Sequence, residues 1–178
     1  MEVNPIPVDE EIKFSTDEII VSKTDLKGRI TYANDVFCRV AERTTAETIG
    51  KSHNIIRHPD MPRAIFKLLW TTLQRGEEMF VYIKNMSATG KYYWVLAHVT
   101  PSYDSANNII GYHSNRRLPD MAGVRSVLPL YERLKAEEQR HASPKEALEK
   151  GVALLENMIR ESGRSYDEFI WGLVNKNA

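Results

Sequence analysis

A single cysteine, Cys38, in 178 residues excludes an internal disulfide and any cysteine-built zinc or iron–sulfur centre, and this usage fits a reducing compartment. An excess of charge of one sign is also missing. The 24 Lys and Arg balance 24 Asp and Glu, so no net field steers the chain toward polyanions, and a nucleic-acid or membrane-surface role is disfavoured. Long apolar runs are absent, and Met1-Glu2-Val3-Asn4-Pro5 has neither a basic segment nor an apolar one behind it. The expectation is a cytoplasmic protein with no signal peptide and no membrane span. There is no nucleophile elbow, phosphate-binding loop, kinase signature or metal-ligand cluster, which leaves an enzyme the least supported class.

What is present is a globular balance of 42% apolar and 27% charged residues, in a length of one domain with some left over. Residues 1–17 read as a tail or short cap. Short β-branched runs at Ile19 to Ser22 and Arg29 to Ala33 flank Thr24-Asp25-Leu26-Lys27-Gly28, a hairpin signal with Gly28 placed for a positive φ. Asn34 is positioned to cap a short helix carrying Phe37 and Val40, and a second short helix from Thr45 ends at Gly50. Cys38 lies in the first of these and reads as a small core residue. After an irregular stretch from Ser52 to Pro59, Asp60 is placed to cap a longer helix that tolerates Pro62 and stops at Gly76. Strand-like runs then cover Met79 to Met86, Tyr92 to Thr100 and Ile109 to Arg116, separated by turn chemistry suited to hairpins. This order predicts an α+β domain, a five-stranded antiparallel sheet with helices on one face, over 18–119.

From 120 to 178 the pattern is a helical extension. Ser143-Pro144-Lys145-Glu146 and Ser165-Tyr166-Asp167-Glu168 read as capping boxes. Leu148, Val152, Leu155 and Ile159 recur at helical spacing along one apolar face of the first helix, and the second carries Phe169, Ile170, Trp171 and Leu173. These faces either pack back on the domain or dock a partner.

Three placements fit a plain core poorly. On the long helix, Met61, Ile65, Leu68 and Thr72 share one stripe while Phe66 and Trp70 lie on the other side, so the helix either sits deep or offers an aromatic wall to a planar ligand. Asn85 has the parity of Val81 and Ile83, which directs a carboxamide inward, to bond neighbouring backbone or the edge of a heterocycle. The segment His53-Asn54-Ile55-Ile56-Arg57-His58-Pro59-Asp60 concentrates polar donors ahead of a helix; Arg57 there suits a phosphate or a local carboxylate. The strand from Tyr92 has no clearly wet face and needs a cover, from the N-terminal segment, the terminal helices or a second subunit.

The string His53 to Pro62, with Phe66, Leu69-Trp70, Lys84-Asn85 and Tyr93-Trp94-Val95, resembles the flavin-binding PAS domain of bacterial aerotaxis receptors. Thr24-Asp25-Leu26, Ile30, Ala33-Asn34-Asp35 and Phe37 resemble the start of the same domain. The likeness runs from about Ile19 to Arg117 and implies the PAS fold, noncovalent FAD and a redox- or oxygen-sensing role in signal transduction. It assigns Arg57, His58 and Asp60, with His53, to the FAD-binding signature, Phe66 and Trp70 to aromatic positions, and Asn85 to a hydrogen bond with the flavin ring. The receptors' membrane segment and signalling coiled coil are not matched. The expectation is therefore a freestanding homodimer that signals to a separate chemotaxis-type transducer. A haem or other small ligand, with His98 or His113 as axial candidates, and an apo dimerisation module are the alternatives.

Overall fold

The structure, a computed structural model, describes residues 5–175. In chain order it contains β1 (Ile20–Thr24), β2 (Ile30–Ala33), α1 (Asp35–Val40), α2 (Thr45–Thr48), a 3-10 turn (His53–Ile56), α3 (Arg63–Gln74), β3 (Met79–Met86), β4 (Tyr92–Tyr103), β5 (Ile109–Arg117), α4 (Met121–Gln139), α5 (Pro144–Ser162) and α6 (Tyr166–Asn175). By contacts the chain divides into two compact units. One holds the residues up to Pro59 together with Leu73–Leu118, and the other holds Asp60–Thr72 with everything from Pro119.

The first unit is built on an antiparallel sheet of order β2-β1-β5-β4-β3. Its local punctuation follows the sequence. Gly28 takes φ 74° in the β1–β2 turn, and the Asn34 side chain accepts from the Phe37 N–H at the start of α1. The Asn34 amide also donates to the Ile19 carbonyl at 2.8 Å, which ties α1 to the edge of β1. Thr44 and Glu47 form a reciprocal capping box at α2. Cys38 is half-buried rather than core, because its side of α1 faces Thr45, whose Oγ1 lies 3.8 Å from the sulfur.

The N-terminal segment runs beside the β3–β4 hairpin. Val8 donates to the Gly90 carbonyl, Tyr92 donates to that of Glu10, and Ile12 donates back to that of Tyr92. This approach needs Gly90: a Cβ there would lie 2.1 Å from the Ile6 carbonyl oxygen, and its φ is +90°.

In the second unit, α4 buries Val124, Val127, Leu130, Tyr131 and Leu134 along one side, despite Pro129 within the helix. The buried residues of α5 are Ala147, Gly151 and Leu155, one step around from the apolar face read in the sequence. Leu148, Val152 and Ile159 are half-buried flanks, because the small residues let α5 approach its neighbours closely along the line between them. The Ser165–Glu168 box caps α6 from both sides, with Ser165 N donating to Glu168 at 2.9 Å and Glu168 N to Ser165 at 3.3 Å. Ile170 is buried, Trp171 is 37% exposed, and the Leu173 side chain lies outside the described residues.

The start of α3 departs from expectation. Asp60 lies three residues ahead of the helix, and the N–H groups of Arg63 and Ala64 donate to the two carboxylate oxygens of Glu138 at 3.0 and 2.8 Å. Glu138, on α4, is buried. A carboxylate at a helix N-terminus meets both the orphan amides and the positive end of the helix dipole. Gly151 makes room for it, since a Cβ there would lie 2.9 Å from Glu138 Cγ.

Candidate functional site

Strand register places a set of side chains on one buried face of the sheet. Asn85 on β3 is opposite Tyr93 on β4. Ala97, of the same parity as Tyr93, is opposite Arg116 on β5, and Arg116 is opposite Ile20 on β1. Ser22 and Thr24 follow Ile20 at the same parity. A face that buries Val81, Ile83, Val95 and Ala97 therefore also buries Thr24, Ser22, Arg116, Tyr93 and Asn85.

The segment after α2 brings His53 to this face. Gly50 donates to the Ile30 carbonyl, Ile30 to that of Lys51, and His53 to that of Gly28, so residues 50–53 lie along the β2 edge. The His53 Nε2 then reaches Ser22 Oγ at 3.1 Å and Arg116 Nη2 at 2.6 Å. Arg116 Nη2 also donates to Ser22 Oγ at 2.6 Å, and its guanidinium carbon lies 5.5 Å from the centre of the Phe37 ring.

These contacts fix a protonation state. A guanidinium only donates, so His53 Nε2 must accept, and the ring is neutral with its proton on Nδ1. Burial, reinforced by the Arg116 charge, pushes the His53 pKa down to about 3. Burial also lowers that of Arg116, to about 10, which leaves it charged at neutral pH. The Tyr93 phenol is pushed up by burial, against the opposing pull of Arg116 and Arg43, and stays a donor. Among the described residues no carboxylate pairs with Arg116, although it is 2% exposed.

The same face carries unmet hydrogen-bonding capacity. Among the described residues, the buried side-chain atoms without a partner include Thr24 Oγ1, Asn85 Nδ2, Tyr93 OH and Arg116 Nη1. All four residues have the parity of one sheet face. Arg43 Nε, after α1, is a fifth in this unit. Each such group costs about 1–3 kcal/mol when left dry and unpaired. Gathered on one face, they describe a surface shaped for a polar, acceptor-rich group.

Four of the expected site residues belong to this unit. His53 joins the Ser22–Arg116 cluster. Arg57 pairs with Asn85 through an antiparallel backbone bridge, which places the polar segment against the end of β3. His58 is buried, with its ring edge-on to Tyr92 at 6.4 Å. Asn85 is 3% exposed, with its Nδ2 unpartnered. Asp60, Phe66 and Trp70 belong to the other unit, where Asp60 is exposed and the two aromatic residues are half-buried.

Ser22, Tyr93, Arg116 and Arg43 were not expected. For Arg116 a signal existed: it has the parity of Tyr112 within a strand, which directs a guanidinium to the face of an aromatic residue. His98 stacks on Phe80 at 4.2 Å and meets Glu78 at 2.9 Å, and His113 meets Asn115 at 3.0 Å. Among the described residues no group of three or more metal-ligating side chains forms.

Comparison with known proteins agrees with this architecture. The family model described as the PAS fold matches residues 30–116. Residues 30–116 carry the PAS fold. The chain is 38% identical to the aerotaxis receptor of Escherichia coli (strain K12) over 136 residues, which are 76% of this chain and 27% of the receptor. It is 26% identical to the nitrogen fixation regulatory protein of Klebsiella pneumoniae over 99 residues, 56% of this chain and 20% of that protein. The chain thus spans about a quarter of the first relative and a fifth of the second. Among solved structures, a light-oxygen-voltage domain studied with a flavin analogue superposes with a TM-score of 0.55 at 18% identity, covering 65% of this chain and 86% of that one. The light state of the blue-light photoreceptor Aureochrome1 LOV domain gives 0.52 at 22% identity, covering 68% and 91%. These two show that the PAS fold is shared. No helix among the described residues is long and apolar enough to cross a membrane.

Proposed function

We propose that this PAS protein is a sensor that binds FAD noncovalently and reports redox state or oxygen through contacts with another protein, without turning over a substrate. The carrying observation is the set of unpartnered polar atoms on one buried sheet face. A flavin ring presents carbonyl and ring-nitrogen acceptors beside one N–H along a planar edge. Asn85 Nδ2 and Arg116 Nη1 are donors in search of acceptors, and Thr24 Oγ1 and Tyr93 OH can serve either way, so the residues present fit that edge. A bound flavin supplies reversible electron uptake. This chain's residues bind and orient it, and Arg57 suits the pyrophosphate as a donor to phosphate.

The likeness to an aerotaxis receptor supports a sensor role, and FAD is the flavin that the resemblance of the His53 to Pro62 string implies. His53, His58, Asp60, Phe66 and Trp70 are the further FAD contacts to be tested singly. The partner is a chemotaxis-type transducer, the protein acts as a homodimer, and its place is the cytoplasm. The visible spectrum of the purified full chain, with chromatography of the flavin released by heat, tests the reading. Paired bands in the blue and near-ultraviolet with released FAD are expected. A colourless protein that takes up no flavin, or an intense haem Soret band, overturns it.

A further inference from the structure

Among the described residues, Arg116 is the one buried cation on the sheet face, and its neighbours are all neutral: Ser22, the Phe37 ring and an imidazole that must accept. A buried charge without a counter-charge is costly. Its second terminal nitrogen, Nη1, still lacks an acceptor. Two of its surroundings are fixed by strand register and by the His53 segment, so the guanidinium is held in place with one N–H group aimed at nothing in the protein. The missing element is a negative charge, and the ligand is what remains to bring it.

We infer that Ser22, His53 and Arg116 form a receptor for negative charge on the bound ligand, which for a flavin is the ring edge that becomes anionic on reduction. The inference rests on the flavin reading. In the oxidised form the ring is neutral. Two electrons from a reductant such as dithionite and one proton from solvent leave it with one negative charge, and the charge on Arg116 then acquires its partner. A ligand shifts an equilibrium only by its differential affinity for the two states. Here the receptor holds reduced flavin more tightly than oxidised flavin, and this preference lets the sheet distinguish the two redox states.

The test uses the full chain loaded with FAD, as wild type, Arg116→Gln and Arg116→Lys. The midpoint potential is measured by dithionite titration against indicator dyes, and oxidised FAD affinity by fluorescence quenching. Wild-type protein is expected to have a potential above that of free FAD. Arg116→Gln is expected to weaken reduced relative to oxidised binding at least tenfold, a fall of about 30 mV per tenfold for a two-electron couple. Arg116→Lys, which keeps the charge, is expected to stay nearer wild type. A wild-type potential at or below that of free FAD overturns the inference with no variant needed, and leaves the flavin reading standing. An Arg116→Gln protein with unchanged potential does the same. A wild-type chain that takes up no FAD in either redox state overturns both.

Discussion

Among the described residues, each of the two units buries one charged side chain, and the two are treated differently. Glu138, among the helices, is met by two backbone amides at the start of α3 and fitted into space left by Gly151. Arg116, on the sheet, has neutral neighbours and an unused donor. Burying a charge is tolerable when hydrogen bonds replace its hydration, as they do for Glu138. Such a group holds the fold together. A charge left partly unmet costs stability in the empty protein, and that cost is recovered only when something else enters. On the proposed reading, the contrast separates a charge kept for architecture from one kept for a ligand.

The most direct way to break the contrast is to remove each charge in the flavin-free protein and follow urea unfolding. Glu138→Ala is expected to cost about 2–4 kcal/mol, because it leaves two helix-start amides dry. Arg116→Met is expected to cost nothing or to add stability. Equal losses at both sites would make Arg116 architectural.

Acid sharpens the comparison next. His53 has a folded pKa of about 3, below the ordinary value of 6.5. The unfolded chain therefore binds the proton first as pH falls, and the contribution of His53 to stability is complete above pH 6.5 and lost progressively toward pH 3. At pH 5 the expected loss is about 2 kcal/mol, since each unit of separation is worth about 1.4 kcal/mol. Denaturant titrations at pH 7 and pH 5 should show this loss in wild type and its reduction in His53→Asn. An unchanged pH slope in the variant would mean that burial does not hold the His53 imidazole neutral in the folded protein.

The smallest expected effect is at Gly151. Gly151→Ala pushes on Glu138 from the opposite helix and should cost about 1–2 kcal/mol by overcrowding, partly offset by the better helix propensity of alanine. The thermal midpoint of the variant checks this, and a rise would show that Glu138 has room to move.

What was legible in the sequence shares one property, short range. The Asn34 cap, the positive φ at Gly28, the helix stop before Gly76 and the Ser165–Glu168 box each depend on residues within three or four positions. The inward aim of Asn85 followed from strand parity alone. Arg116 and Ser22 are 94 residues apart and meet only because β1 pairs with β5 at the centre of the sheet, an adjacency that no local pattern encodes. The buried line of α5 was not legible for a different reason. Periodicity weights large apolar side chains, whereas close packing between helices selects Ala147 and Gly151. Asp60 had the chemistry of a cap and the right proximity, yet the amides of α3 went to a carboxylate 74 and 75 residues downstream.

That last bond has a consequence for the order in which the chain matures. During synthesis the segment 30–116 that the family model recognises leaves the ribosome before Glu138 does, so the first turn of α3 must wait for α4 with its amides facing water. A version cut after β5 would retain every strand among the described residues and still lack the acceptor for the start of α3. The stretch that the family likeness spans and the stretch that supplies the acceptor for the start of α3 are, in this protein, two different lengths.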